Sequence, residues 1–273
     1  MKLFYRKYGS GPPLIILHGL FGSSDNWVTF AKSISDSFTV YLPDLRNHGQ
    51  SPHSPIHDYN SMADDIAELA DLLGPGKFFL AGHSMGGKAA IRFAADNSSR
   101  LSGLLIVDIS PFGHPGGIDA EFSIHLAILD FMRNTDLSVI KSRSDAEALL
   151  NERTGSERIS GLVLKSLKRE SDNSFSWKIN DDALYNNIYT IAGDAVPDSG
   201  GITGISGFPV YFLKGENSDY IAADDIRRIS LMFPGAEIIT IPGAGHWVHA
   251  DNPGFLRKCF LRLVETCQSE PGH

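Results

Sequence analysis

The chain has 273 residues, 42% of them apolar and 21% charged, which suits one large folded domain or a domain that carries an insertion. Its 32 acidic and 24 basic side chains give a net charge of -8, and no basic patch stands out, so we expect no nucleic-acid partner. The opening segment MKLFYRKYG has an apolar run of three residues before Arg6, which predicts neither a signal peptide nor a membrane span.

The first 108 residues alternate short apolar runs with amphipathic segments. Strands are predicted at LFYRKYG and LIIL, which the turn GSGPP joins, and then at FTVYL, KFFLA and LLIVD. The last three are continuously apolar, as in strands that are buried on both faces. Helices are predicted at about 24–35, 58–73 and 85–97. This order of strands and helices predicts an α/β fold with a mostly parallel central sheet flanked by helices.

Two loops follow strands in this half of the chain. LHGLFG at 17–22 is either a plain glycine turn or a site for an oxyanion, with the backbone N–H of Leu20 as the donor and that of Phe21 as the alternative. DLRNHGQS at 44–51 is rich in turn residues. We interpret it as a structural loop that borders the site and braces it.

The stretch GHSMGGKA at 82–89 fits two motifs, and the first of them binds phosphate. Gly82, Gly87 and Lys88 have the spacing of a P-loop, although Ala89 stands where that loop needs a hydroxyl for magnesium. This interpretation makes the chain a nucleotide-binding protein.

The second motif is G-x-S-x-G, a sharp turn between a strand and a helix that exposes a nucleophilic serine, here Ser84. Gly82 and Gly86 remove side chains that would collide at such a turn, and the N–H of Met85 is the second expected oxyanion donor. Both motifs need a strand before and a helix after, so the neighbouring residues do not decide between them.

From 110 to 206 the alternation stops. We find no convincing strand there, only helical patterns such as AEFSIHLAILDFM, SDAEALLNER and RISGLVLKSLK, followed by the glycine-rich run SGGITGISG. PVYFLKG and AEIITIPG then restore strands, and NPGFLRKCFLRLVET predicts a final helix. We therefore predict a core formed by 1–109 and 207–273, with 110–206 inserted as a helical cap.

The loop GAGHWVHADNP near the end of the chain places His246 beside a glycine. From such a loop an imidazole can reach the strand ends, take a proton from Ser84 and return it to a leaving alcohol. His249 is the rival, but we expect it to pack or to cap. The ten histidines show no HExxH and no pairing with carboxylates that would hold a metal, so we predict no metal and no cofactor.

The two cysteines, Cys259 and Cys267, stand eight residues apart in the predicted last helix. That spacing separates them by roughly 12 Å, too far for a disulfide. Together with the opening segment, this favours a cytoplasmic protein.

The stretches LHGLFGS, DLRNHGQS, GHSMGGK, VDISP and GAGHWVHA follow one another in an order that closely resembles the α/β-hydrolase fold family. Within it, DLRNHG and GHSMGGK together resemble the small bacterial YbfF-type esterases. The resemblance covers nearly the whole chain, and it implies the order Ser, Asp, His for the catalytic residues. The P-loop spacing is then a coincidence of glycines, and Lys88 is expected at the surface or beside the site, without a chemical role.

The resemblance leaves the acid open between two residues. In most of the family it lies three residues after the glycine of the strand PVYFLKG, where this chain has Ser218, with Asp219 one residue later. Some members instead use the end of the strand that corresponds to LLIVD, here Asp108, and the YbfF-type esterases share the serine. We predict Asp108 as the acid and keep Asp219 as the alternative; Asp108 could also merely cap its loop.

The predicted function is a serine carboxylesterase that hydrolyses short- to medium-chain acyl esters or thioesters of small-molecule substrates through an acyl-enzyme on Ser84. A carbon–carbon bond or amide hydrolase with the same triad is the alternative, and a nucleotide-binding protein is the remote one. Aromatic residues are expected to make the substrate pocket mainly apolar. They are Phe21, Phe112 and Trp247 beside the motifs, and Trp177 and Tyr185 from the cap.

Overall fold

The computed structural model describes residues 1–113, 120–196 and 202–269. Its strands are β1 Tyr5–Tyr8, β2 Pro13–Leu17, β3 Thr39–Pro43, β4 Phe78–His83, β5 Leu101–Val107, β6 Leu167–Arg169, β7 Phe175–Trp177, β8 Val210–Gly215 and β9 Glu237–Ile241. Its helices are α1 Val28–Ser33, α2 Tyr59–Asp71, α3 Met85–Asn97, α4 Ala120–Asn134, α5 Arg143–Thr154, α6 Glu157–Leu164, α7 Asp181–Asn186, α8 Ile188–Ala192, α9 Ala223–Met232, α10 Val248–Asp251 and α11 Pro253–Ser269.

Seven strands form one sheet in the order β1-β3-β2-β4-β5-β8-β9. All neighbours are parallel except β1 and β3, which run antiparallel at one edge. The predicted α/β fold with a mostly parallel sheet is therefore confirmed. Every residue of β4, and all but one of β5, is buried, because helices cover both faces of the sheet.

Alternate residues of each strand pack into cores on opposite faces of the sheet. Leu80 of β4 packs into the core that includes α2 and α3, whereas its neighbour Phe79 packs into the core that includes α1 and α11. On that second face Phe260 of α11 is fully buried against Phe30 of α1, with ring centroids 4.9 Å apart. Burial of a side chain of this size stabilises the fold by about 1.5–3 kcal/mol.

Between β5 and β8 the described residues form helices α4 to α8 and a small antiparallel pair, β6 and β7. The expectation that no strand occurs between 110 and 206 is therefore wrong. Strands of three residues are too short to show the alternation that identifies a strand in sequence. Residues 114–119 and 197–201, with the first part of the run SGGITGISG, lie outside the described residues, and the boundaries of the core and the cap stay a prediction.

The sheet register determines where the site forms. In the parallel strands β4, β5 and β8, His83 pairs with Val107, and Val107 pairs with Leu213, so the three strands end at one edge. Ser84 and Asp108 are the residues that follow β4 and β5. Ligand sites of parallel α/β sheets lie outside the carboxyl ends of the strands, which is where both residues are found.

No helix within 1–113, 120–196 and 202–269 combines the length and the apolar character that a membrane crossing requires. Cys259 and Cys267 lie in α11 and are not joined by a disulfide. Burial raises the pKa of the Cys259 thiol to about 11.

Candidate active site

Ser84 lies at a sharp turn between β4 and α3. Its φ of 53° and ψ of -123° are unfavourable for a residue with a side chain. The surrounding hydrogen bonds impose this conformation: the N–H of Ser84 donates to the oxygen of Val107 at 3.1 Å. The carbonyl oxygen of Ser84 accepts from the N–H groups of Gly87 at 2.8 Å and Lys88 at 3.1 Å. The turn is thus rigid, and Ser84 lines a pocket.

Two glycines make this turn sterically possible. A Cβ on Gly82 would lie far inside contact distance of the carbonyl oxygen of Gly86, and a Cβ on Gly86 would lie 2.5 Å from the oxygen of His18. Both obstacles are backbone atoms, which cannot move aside as a flexible side chain can. The steric reason predicted for these two glycines is confirmed.

The same hydrogen bonds decide between the two motifs of GHSMGGKA. A P-loop leaves its backbone N–H groups free for phosphate, but those of Gly87 and Lys88 are bound to the oxygen of Ser84. The ammonium of Lys88 also points elsewhere, because it donates to the oxygens of Ala192 at 3.2 Å and Gly193 at 2.6 Å. The stretch therefore forms the sharp strand-to-helix turn that G-x-S-x-G predicts, with Ser84 at its corner, and not a phosphate-binding loop.

His246 and Asp108 are in direct contact, with 2.8 Å between Nδ1 and Oδ2. The carboxylate of Asp108 is completely buried, and it also accepts from the N–H of Gly215 at 2.8 Å and the hydroxyl of Ser218 at 2.5 Å. These bonds offset the cost of removing a charge from water. Asp219, the alternative acid, is exposed. Ser218, at the position where most of the family carries its acid, instead donates to Asp108.

Aromatic rings hold the imidazole of His246 on two sides. Tyr220 stacks on it with ring centroids 3.7 Å apart and planes inclined by 17°. His83 lies 4.6 Å away, and its Nε2–H donates to the carbonyl oxygen of His246 at 2.8 Å. Burial, with a smaller effect of His246 and His249, lowers the pKa of His83 well below its usual range. His83 is therefore a neutral donor that fixes the loop.

A tight turn at residues 19–22 lies beside Ser84. The N–H of Gly22 donates to the carbonyl oxygen of Gly19 at 3.1 Å, and this bond uses neither the N–H of Leu20 nor that of Phe21. A Cβ on the first glycine of the turn would lie only 3.2 Å from the Cβ of Ser84. Met85 begins α3, so its N–H has no acceptor within the helix. The N–H groups predicted for the oxyanion thus come from two segments that meet at Ser84.

The loop at 44–51 supports this turn, as predicted. The N–H of Leu45 donates to Nε2 of His18 at 2.9 Å, and Nδ1 of His18 donates to the carbonyl oxygen of Gly19 at 2.8 Å. Burial lowers the pKa of His18, which is consistent with a neutral ring that accepts at one nitrogen and donates at the other. The loop therefore holds the first residue of the turn in place.

Two pockets meet at Ser84, and they share Leu20, Ser84, His125 and Tyr220. The His246 pocket, of about 230 Å³, is lined in addition by Phe21, Trp27, His83, Ile124, Ile128, Ile159, Leu162, Val163, His246, Trp247 and His249, among others. The Lys88 pocket, of about 370 Å³, is lined in addition by Tyr59, Met85, Lys88, Ile109, Phe112, Ile188, Tyr189 and Arg228, among others.

A family model described as alpha/beta hydrolase fold matches residues 12–253. The chain belongs to the α/β-hydrolase fold family. It is 37% identical to the sn-1-specific diacylglycerol lipase ABHD11 of Danio rerio, over 90% of this chain and 76% of that protein. It is 30% identical to Esterase YbfF of Escherichia coli, over 92% of both proteins. A solved structure described as Marine microorganism esterase superposes with a TM-score of 0.89, at 40% identity over 96% of this chain and 99% of that one.

Three of the five predicted substrate residues of this α/β hydrolase lie at the pockets. Phe21 and Trp247 line the His246 pocket, and Phe112 lines the Lys88 pocket. The structure thus places these three residues at the cavities beside Ser84, and their role in substrate binding stays a prediction.

Trp177 and Tyr185 line neither pocket, so the structure does not place these two predicted residues at the cavities beside Ser84. The ring of Trp177 in β7 packs edge-on against the ring of Phe131 in α4, with centroids 6.3 Å apart, so Trp177 contributes to packing between β7 and α4. Tyr185 is 38% exposed, and its ring lies 4.2 Å from the guanidinium of Arg133. Which side of α7 and β7 faces Ser84 depends on how these elements pack, and their sequences do not indicate it.

Sequence reasoning missed the aliphatic wall of the His246 pocket. Ile124 and Ile128 of α4 and Ile159 and Val163 of α6 form this wall. Each pair is spaced by four residues, which places both side chains on one face of a helix. The same spacing is typical of any helix that packs on a core, so it could not single these residues out.

Of the two places predicted for Lys88, at the surface or beside the site, the structure shows the second, because Lys88 is buried and lines a pocket that Ser84 also lines. Burial lowers the pKa of its ammonium to about 8, while the carboxylates of Asp194 and Asp225 act in the opposite direction. Its two acceptors, Ala192 and Gly193, are carbonyls at the end of α8, where the helix dipole favours a cation. Lys88 thus fastens α8 to α3.

His249 packs, as predicted. Its ring stacks on Trp27 with centroids 4.6 Å apart, and burial lowers its pKa to about 4. It lines the His246 pocket but does not contact Asp108, which is bound by His246.

Proposed function

We propose that this α/β hydrolase is a serine carboxylesterase for short- to medium-chain acyl esters or thioesters. The main observation behind the proposal is the contact of 2.8 Å between the buried carboxylate of Asp108 and His246, which lines a pocket together with Ser84 at its strained turn. Relatives named as an esterase and a lipase support the same class of reaction. The pockets, of about 230 and 370 Å³, have a size that suits small ligands.

In this proposal Asp108 sets the tautomer of His246. The carboxylate accepts the proton of Nδ1, so Nε2 has a free lone pair and takes the proton of the Ser84 hydroxyl as that oxygen attacks the ester carbon. When the carbon–oxygen bond to the alcohol breaks, His246 gives this proton to the leaving oxygen. Water then repeats the sequence on the acyl-enzyme and releases the acid.

The backbone N–H groups of Leu20 and Met85 are the proposed donors to the oxyanion, with Phe21 as the alternative to Leu20. Such donors stabilise the charge that develops on the carbonyl oxygen, and removal of one typically costs about 10²–10³ in kcat. Because Met85 is the first residue of α3, the positive end of the helix dipole acts on the same oxygen.

The test is the initial rate with p-nitrophenyl butyrate at neutral pH for wild type, Ser84→Ala and the control Ser102→Ala. Ser102 is a half-buried serine of β5 that lines neither pocket. We expect Ser84→Ala to fall to the background rate and Ser102→Ala to retain wild-type activity. A Ser84→Ala protein with its rate intact would show that another residue is the nucleophile. A wild type inactive on p-nitrophenyl esters from acetate to decanoate would overturn the esterase proposal.

A further inference from the structure

The two pockets meet at Ser84, but they differ in the catalytic groups that they reach. His246 lines the His246 pocket and not the Lys88 pocket. Met85, whose N–H is a proposed oxyanion donor, lines the Lys88 pocket and not the His246 pocket. The two sides of the reacting carbon are therefore chemically distinct.

Tyr220 lies where the two pockets meet. It lines both pockets, and its ring lies flat on the imidazole of His246 with centroids 3.7 Å apart. Tyr220 thus covers one face of the imidazole and also lines the Lys88 pocket. Of the two pockets, only the His246 pocket is lined by His246, so a group that exchanges a proton with this imidazole is placed there.

We propose that the alcohol part of an ester binds in the His246 pocket and the acyl chain in the Lys88 pocket, an inference that rests on the proposed esterase function. When the bond between the carbonyl carbon and the alcohol oxygen breaks, that oxygen takes the electron pair and the proton held on Nε2 of His246. The leaving oxygen must therefore lie on the side that His246 faces. The acyl group stays bonded to Ser84 and occupies the other side.

The second half of the reaction follows the same division. After the alcohol leaves, a water molecule occupies the vacated His246 pocket and gives a proton to His246 as its oxygen bonds to the acyl carbon. The bond from that carbon to Ser84 then breaks, and the serine oxygen recovers the proton. The acyl chain remains in the Lys88 pocket throughout, so each pocket selects one part of the substrate.

The pocket walls define the class of substrate. Five of the residues that line the His246 pocket are aliphatic: Ile124, Ile128, Ile159, Leu162 and Val163. These side chains offer no hydrogen bond to a charged or strongly hydrated group, so the part of the alcohol that lies against them is hydrophobic. The Lys88 pocket is the larger of the two, so it has more room for a chain, and apolar side chains such as Ile188 are among those that line it.

Two buried isoleucines provide a matched test. Ile128 of α4 is 1% exposed and lines only the His246 pocket, whereas Ile188 of α8 is 2% exposed and lines only the Lys88 pocket. Ile128→Ala and Ile188→Ala remove the same atoms from the two walls. Each variant is measured on two substrate series: butyrate esters of ethanol to octanol, followed by pH-stat, and p-nitrophenyl esters from acetate to decanoate.

We expect Ile128→Ala to raise kcat/KM for octyl relative to ethyl butyrate, by about fourfold for each methylene that the enlarged pocket buries (0.8 kcal/mol). Its ratio for p-nitrophenyl octanoate over acetate should stay within about twofold of wild type. Ile188→Ala should instead raise the ratio for p-nitrophenyl octanoate over acetate and leave the ratio for octyl over ethyl butyrate within about twofold of wild type. If alanine unfolds either protein, Ile128→Val and Ile188→Val form a milder pair with the same expected directions.

Three results would overturn the division of the ester. In the first, Ile128→Ala changes the preference for acyl length and Ile188→Ala the preference for alcohol length. In the second, both variants change both series equally, and in the third, neither folded variant changes either series. Activity on esters that does not follow the expected pattern refutes only this inference. Absence of ester hydrolysis in the wild type refutes the proposed function itself.

Discussion

The identity of the acid is tested most sharply by comparing Asp108→Asn with Asp219→Asn. The side chain of Asp108 is completely buried and accepts hydrogen bonds from His246, Gly215 and Ser218. Asparagine keeps this shape but puts an NH₂ donor where one carboxylate oxygen was. If that donor faces Nδ1 of His246, the ring must carry its proton on Nε2, where it cannot accept the proton of Ser84.

The expected loss is large and specific. A triad with its histidine in the wrong tautomer loses about 10⁴ in kcat, equal to about 5.4 kcal/mol of transition-state stabilisation. Asp219 is exposed, so Asp219→Asn should change kcat by less than about twofold. The two substitutions are chemically identical, which makes each the control for the other.

The assay is kcat on p-nitrophenyl butyrate at neutral pH, with thermal unfolding of both variants to establish that each is folded. A fall of about 10⁴ in Asp108→Asn with an unchanged Asp219→Asn supports the assignment. The reasoning is refuted if Asp219→Asn is crippled while folded Asp108→Asn stays within about tenfold of wild type.

Two further predictions concern stability. Gly86→Ala should lower both Tm and activity, because its Cβ would lie 2.5 Å from the oxygen of His18. Its control is Gly161→Ala in α6, whose Cβ meets nothing within 4 Å and which should raise the free energy of unfolding by about 0.5–1 kcal/mol. Equal shifts in Tm for the two variants would contradict this prediction. The burial of Lys88 lowers its pKa from 10.5 to about 8, so between these values the unfolded chain binds more protons and stability rises with pH. Urea unfolding should show the free energy of wild type relative to Lys88→Met growing by about 3 kcal/mol from about pH 7.5 to about pH 10.5, and a flat difference would refute the burial argument.

Features that depend on neighbouring residues were predictable. The turn at Ser84 follows from Gly82 and Gly86, since the clashes they avoid arise within a few residues or with the adjacent strand. The helix at 85–97 was predicted with the bounds that the structure shows, because its cap and its apolar face are local. The strands β4, β5 and β8 were also predicted, because each is a short apolar run that is visible in the local sequence.

Features that depend on contacts between residues far apart in the chain could not be predicted from local sequence patterns. The sequence by itself determined the fold, the turn at Ser84 and the loop that presents His246, because those depend on periodicity, steric limits and motif order. The sequence favoured Asp108 over Asp219 by resemblance alone, and only the tertiary structure shows Asp108 in contact with a histidine 138 positions away and Asp219 exposed. It also buried Lys88 against carbonyls more than 100 positions distant, and placed isoleucines rather than Trp177 at the pocket. These outcomes depend on which helix faces meet, and a side chain has the same local pattern on either face.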